Sequence, residues 1–287
     1  VLRSFLFGIV RLLAIMLLAS IVGATLMRIA PGFSSDEQQL NSSLSSQSIQ
    51  AIRQARLADA NIARYYMRYL SGLVRGDLGV SQSLNQPVSE LLRERLPVTL
   101  RNMAIAVLLA WFLGLALAIT AQLVNAVSLT FITDGLSGTF ISTPAAVLAL
   151  LFLMLRLPPE FAAALLVFPK IYRYCHNLLQ QSYELPHILT ARAKGAGRWR
   201  ILAWHVAPTA LPQLLALVGV SISIVIGVLL PIEVICDVPG VGQLAWQAAE
   251  SRDLPLLVNL TLVVAFVTVC ATMLSDAARR RFTRSAA

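Results

Sequence analysis

Residues 182–212 read SYELPHILTARAKGAGRWRILAWHVAPTALP, and the rest of the chain is best read outward from them. The stretch is basic, with Arg192, Lys194, Arg198 and Arg200. It also holds His187 and His205, two of the chain's three histidines. On either side the chain is largely apolar. Pro186 suits a first helical position, so one short helix is expected over 186–194. Gly195 and Gly197 interrupt it, because glycine enters left-handed backbone without a steric cost. A second short helix is expected over 198–206, with Trp199, Leu202, Ala203 and Val206 sharing one face. The result is a basic two-helix elbow hung between two membrane spans. Composition alone would give it one role, a positive cytoplasmic loop that fixes topology.

The whole chain supports the membrane setting. It has 287 residues, 57% hydrophobic and 13% charged. Its mean hydropathy of +0.73 is far above that of a soluble domain, which marks an integral membrane protein. The net charge of +9 does not point to nucleic acid, because much of the excess sits beside apolar runs, where the positive-inside rule expects it. Cys175, Cys236 and Cys270 lie far apart, so they suggest neither a metal site nor a disulfide framework. The first apolar run, 12–27, is not followed by a small-residue cleavage pattern and is expected to remain as a span.

Taken in order, the chain gives an all-α polytopic protein with about six transmembrane helices. Residues 1–30 form an N-terminal tail and the first span, ended by Pro31-Gly32. Residues 31–97 form a periplasmic region. It is polar at first, then helical over 52–74 with an aromatic surface at Tyr65, Tyr66 and Tyr69. It closes with a short helix over 87–96 that Pro97 is expected to stop. At 67 residues it exceeds the roughly 60-residue limit below which loop charge sets orientation. Residues 98–287 form the core transmembrane domain. Its spans are expected at 103–121, 139–155, a less apolar one starting at 161, then 211–230 and 256–274. Residues 122–128 form a short uncharged link, and 156–160 a tight return. Arg3, Arg11, Lys170, Arg173 and the tail Arg279, Arg280, Arg281 and Arg284 place both termini in the cytoplasm.

The order of residues in the elbow then narrows its role. Thr190-Ala191-Arg192-Ala193-Lys194-Gly195, with His205 and Pro208 downstream, resembles the coupling loop of ABC-transporter permeases. The family pattern is EAA, three positions, Gly, nine positions, Ile, one position, Leu-Pro. Here Leu189 stands for the Glu, Thr190-Ala191 for the alanines, His205 for the Ile and Ala207-Pro208 for the Leu-Pro. The TARAKG form is similar to that of dipeptide, oligopeptide and nickel permeases. Arg75-Gly76-Asp77-Leu78-Gly79 and Arg95-Leu96-Pro97 with Thr99-Leu100 resemble the first periplasmic segment of the same family. Glu233, then Pro239-Gly240-Val241-Gly242, then Arg252-Asp253-Leu254-Pro255 resemble the segment before its last span.

This resemblance implies the MetI-like fold and the permease subunit of an ABC importer of the bacterial inner membrane, moving peptides or a similar small solute. It implies a second permease as heterodimer partner, two ATPase subunits, and a periplasmic or lipid-anchored substrate-binding protein. In that family the coupling loop, here Thr190 to Gly195 with His205 and Pro208, docks into a cleft on the ATPase. Three departures are notable: Leu189 for the Glu, the uncharged 122–128 link, and the near absence of a loop between the third and fourth spans. They leave a non-transporting membrane scaffold as the alternative. An ion-coupled carrier is a further one, disfavoured because the expected spans 1, 2, 5 and 6 hold no acid.

Covalent chemistry finds little support. The chain's two lysines, Lys170 and Lys194, lie in no phosphate-cradling glycine motif, so ATP belongs to a partner and no cofactor is expected. No helix carries a carboxylate-and-histidine metal set. Gly135-Leu136-Ser137-Gly138 matches the GxSG of rhomboid proteases, but that serine needs a histidine within reach and the last span has none. No catalytic residue is assigned. Glu233 has two readings: an interface residue that water reaches, or an acid on the translocation path, where the family keeps one. Lys170, Arg173 and His176 recur every three residues and have two readings as well, a charged helix end at the headgroups or a wall of that path.

Overall fold

The computed structural model describes residues 76–124 and 127–285, together with Ala14, Leu18, Thr25 and Gly72. The expected first span and most of the expected periplasmic region lie outside these residues. Backbone inside a bilayer must satisfy its own hydrogen bonds, and helices do so locally. Among the described residues the chain accordingly folds into helices: α1 (Val88–Val124), α2 (Val127–Ser142), α3 (Ala145–Met154), α4 (Pro159–Tyr183), α5 (Pro186–Ala193), α6 (Arg198–Ile201), α7 (Ala207–Ile235), α8 (Val241–Glu250) and α9 (Leu254–Ser285). A π turn, Leu202–Val206, joins α6 to α7. The isolated bridge between Val80 and Pro87 is the extended pairing seen there.

α1, the run Arg198–Ile235 and α9 are each long and apolar enough to cross a membrane. α2 and α3 together have the same length and apolarity but are bent by 93° at their junction. The expected third span, 139–155, is therefore not one rod. Pro144 sets the break, because a proline ring pushes the preceding residue, Thr143, away from helical backbone. The helix expected to stop at Pro97 instead continues through it as part of α1. Proline removes one N–H, so α1 carries one backbone bond fewer at this turn. α4 spans about 37 Å, yet Lys170, Arg173, Asn177, Gln180 and Gln181 make one side too polar for the same apolarity.

The described residues fall into two compact units. In the first, residues 95–244 and 264–285, the core is built on α4. Ala162, Ala163, Val167, Ile171 and Cys175 of α4 pack in one cluster with alanines of α1, Leu148 and Phe152 of α3, and Val225, Leu229 and Ile232 of α7. α1 reaches α4 through Gly114, where a Cβ would lie 2.9 Å from Ile171 Cγ2 and 3.0 Å from the Tyr172 nitrogen. α7 meets α9 just as closely. The Gly219 N–H donates to Ser275 Oγ at 3.1 Å, and that hydroxyl donates to the Leu215 carbonyl. In the second unit, residues 76–94 and 245–263, the turn after Gly79 packs on the start of α9.

Candidate functional site: the elbow and the buried carboxylate caps

The elbow is closed by a specific turn. α5 ends with Lys194 as its cap, and Gly195 follows at φ +80°. The Gly195 N–H donates to the Arg192 carbonyl at 3.0 Å and the Ala196 N–H to the Ala191 carbonyl at 3.3 Å. This pair of bonds is the Schellman arrangement, which needs left-handed backbone at its glycine position. Ala196 then packs against the core, and Gly197 starts α6. Ile188, Ile201, Leu202 and Val206 face inward and are buried. Thr190, Arg192, Ala193 and Lys194 face outward, Ala191 is half-buried, and Leu189 is 50% exposed. The Thr190 hydroxyl is occupied by the Pro186 carbonyl, so it is no free donor toward a partner.

The second half of the elbow differs from expectation in two ways. It does not end before the next span but runs straight into it, with His205 half-buried and Pro208 exposed along the way. Its face is also not a single apolar stripe. Leu202 and Val206 are buried, while Trp199 is 68% and Trp204 76% exposed, and Ala203 is exposed too. The π turn is the reason. It widens the helix locally, so Leu202, Val206 and Ala210, each four apart, all face inward. Arg198 fixes the elbow from the other side by donating from Nη1 to the Leu123 carbonyl at 2.6 Å, close to the C-terminus of α1. A cation suits that end of a helix.

At the opposite end of α7, Glu233 is fully buried, which counts against both of its readings, an interface residue reached by water and an acid facing a solute on the translocation path. Its Oε1 accepts from Thr99 Oγ1 at 2.8 Å and its Oε2 from the Gly242 N–H at 2.8 Å. The Thr99 oxygen in turn accepts from the Val241 N–H at 2.8 Å. Val241 and Gly242 open α8, so two of that helix's unpaired N–H groups are capped by side chains from α7 and α1. Gly240 and Gly242 make the close fit possible. A Cβ on Gly240 would collide with the Glu233 carboxylate, and one on Gly242 with the Leu230 carbonyl. Asp253 repeats the device in the second unit. It is 1% exposed, caps α9 through Leu256 N–H to Oδ1 at 3.1 Å, and accepts from the Ser83 N–H at 3.0 Å and from the Ser81 and Ser83 hydroxyls. Asn259, six residues on, donates to the Leu78 carbonyl at 2.9 Å.

Each of these two caps thus joins a segment near residue 80 or 100 to one near residue 240 or 255. A family model for the inner membrane component of binding-protein-dependent transport systems matches residues 110–287, which include the elbow, Glu233 and Asp253. The chain belongs to this family. Among curated relatives, a putative peptide transport system permease of Brucella abortus is 29% identical over 295 residues, covering 91% of each chain. A putative peptide permease of Brucella suis is 27% identical and covers 96% of this chain and 95% of its own. The oligopeptide transport system permease OppB of Escherichia coli is 29% identical over 71% of this chain and 73% of its own. This permease is therefore a multi-pass, all-α transport component of the inner membrane with a MetI-like fold, and not an enzyme. Systems of this kind combine such a component with a partner permease, an ATPase and a substrate-binding protein.

The permease's other candidate residues lie on α4 and α2. Lys170 and Arg173 are exposed on one side of α4, but His176 turns inward. Its ring lies against Tyr172 with centroids 5.6 Å apart, and its Nδ1 is buried without a partner. The three residues therefore do not leave the helix together. Ser137 Oγ is also buried without a partner, so Ser137 and His176 are not bonded to each other and the GxSG match gains no base. Tyr172 instead pairs with Thr133 at 2.6 Å and donates to Asp134 at 3.3 Å. In the sequence Thr99 and Arg198 are named only as members of motifs, with no partner assigned, and Ser81 and Ser83 are not singled out. For Thr99 and Arg198 that membership was the available signal.

Proposed function

We propose that this permease forms half of the translocation path of an ABC importer for peptides, with its elbow docking onto an ATPase subunit. The path would be completed by a second, different permease. Two ATPase subunits would close on ATP and move both elbows, and a periplasmic or lipid-anchored binding protein would deliver the solute. Six spans would place both termini and the elbow in the cytoplasm and residues 31–97 outside. The names of its relatives support peptides as the cargo. The observation that carries the coupling role is the elbow itself. It offers Leu189, Trp199, Trp204, Arg192 and Lys194 outward on a turn anchored by four buried aliphatic residues. Tryptophan and arginine are the residues most enriched at binding hot spots. Leu189, where the family has Glu, makes the contact more apolar and less sensitive to salt.

The test is co-purification of the ATPase and peptide uptake by the reconstituted complex, using Gly195→Trp and Ala191→Trp. Membrane insertion of both variants should persist, while ATPase capture and uptake should be lost. Normal assembly and uptake in both variants would remove the elbow as the coupling element and favour the scaffold reading prompted by Leu189.

A further inference from the structure

Between α4 and α7 lies a groove of about 310 Å³, lined by Lys170, Ile171, Tyr174, Leu217, Val220 and Ser221 among others. Apart from Lys170 its walls are uncharged. The Ser221 hydroxyl is already engaged, accepting from Trp111 Nε1 at 2.8 Å and donating to the Val218 carbonyl at 2.8 Å. The ammonium of Lys170 is therefore the charge that the groove offers. The groove also has a direction. On the side of α4 that carries Lys170, Ala163 and Leu166 come earlier in the helix and are buried. Arg173, Tyr174, Asn177 and Gln181 come later and are exposed. The face is closed at one end and open at the other. No acidic residue lies on α4 between Glu160 and Glu184, so nothing on this helix answers the two cations.

A charged side chain within a membrane-embedded bundle faces water or a counter-charge rather than lipid. An ammonium is a compact point charge with three donors on a flexible stem, and it accepts a carboxylate from many approach angles. We propose that this groove is a subsite for the carboxylate of the transported solute, with Lys170 as the ion-pair partner. Val220 and Ile224 supply an apolar wall for the atoms beside the carboxylate, and Arg173 extends the positive field toward the open end. The assignment rests on the permease reading above. For a peptide the group is the free C-terminal carboxylate, which every unblocked peptide carries whatever its side chains. Recognition here would therefore be indifferent to peptide sequence.

Two measurements on the assembled transporter test this. In the first, uptake of a peptide is compared with that of its C-terminally amidated form, choosing a pair that competes equally for the binding protein. Lys170→Gln should lower uptake of the free acid about tenfold while leaving the amide unchanged, and Lys170→Arg should retain the preference. An unchanged ratio in Lys170→Gln, with normal uptake, overturns the subsite but not the permease. Absence of peptide uptake by the unmodified complex overturns both. In the second, Tyr174→Cys is introduced with Cys175, Cys236 and Cys270 replaced by alanine. A thiosulfonate carrying a sulfonate should label it about ten times faster than one carrying a trimethylammonium, after correction for their rates on a free thiol. That preference should fall at least threefold when Lys170→Gln is added, the remainder being the field of Arg173. A preference independent of Lys170 would sink the proposal even if uptake had failed for other reasons.

Discussion

Replacing Glu233 by alanine would strip an acceptor from the Thr99 hydroxyl and the Gly242 N–H at once. A buried donor left without a partner costs about 1–3 kcal/mol, so the variant should lose about 2 kcal/mol or more. Glu233→Gln keeps one acceptor oxygen and should lose less. Gly240→Ala should destabilise for a different reason, by driving a methyl group into the same carboxylate. The double variant Glu233→Ala/Gly240→Ala should then cost clearly less than the sum of the two, since removing the carboxylate clears the space. Thermal unfolding of the purified chain in detergent reads all three, and strict additivity would mean that the glycine cradle does not exist. The sequence showed Glu233 as an acid in a motif and left it two readings, one at a water-reached interface and one on the translocation path. Its partner Thr99 lies 134 positions away, and nothing in the local pattern says which hydroxyl will meet which carboxylate. Ser81, Ser83 and Asp253 were hidden in the same way. Their motifs could be read one at a time, and their pairing exists only once the chain has folded.

One turn recurs at the ends of α3, α5, α7 and α8. In each, a left-handed residue follows the helix cap: Arg156 at φ 54°, Gly195 at 80°, Asp237 at 52° and Arg252 at 55°. The two bonds seen at Gly195 are repeated, for example from Leu157 N–H to the Phe152 carbonyl and from Asp253 N–H to the Ala248 carbonyl. Left-handed backbone costs an L residue roughly 1–2 kcal/mol, and glycine escapes that cost. Arg156→Gly should therefore raise stability by up to about 1 kcal/mol, and Gly195→Ala should lower it by a similar amount. Opposite signs from the same turn, read as shifts in the unfolding midpoint, are the expected outcome. Equal signs would mean that the turn geometry is not what sets these residues. Only the Gly195 turn was legible as a left-handed one, because glycine announces it and arginine and aspartate do not. The helices themselves were legible from their apolar runs, but their ends were not. Proline carried the error in both directions: Pro97 looked like a stop and is tolerated inside α1, while Pro144 passed unnoticed and breaks a span. The outward turn of Trp199 was out of reach, because the spacing rule assumes α-helical pitch and the π turn departs from it.

At the scale of the whole molecule, orientation rests on charge. The six-span reading puts Ser45 outside, in a stretch beyond the described residues. A cysteine at Ser45, with the three native cysteines replaced by alanine, should react with a membrane-impermeant maleimide in spheroplasts. A cysteine at Ser285 should react only after lysis. Labelling in the reverse order would invert the topology and put the elbow on the wrong side for an ATPase. If the orientation holds, the unbroken path from Arg198 to Ile235 gains a mechanical meaning. Its 38 residues make a rod about 57 Å long, with the elbow built into one end and Glu233 at the other. No loop lies between them to absorb motion. A tilt of roughly 5° imposed at the elbow would carry the far end through about 5 Å for a rod of that length. The Glu233 carboxylate, clamped to α1 and α8, would take the load of that lever on its two hydrogen bonds.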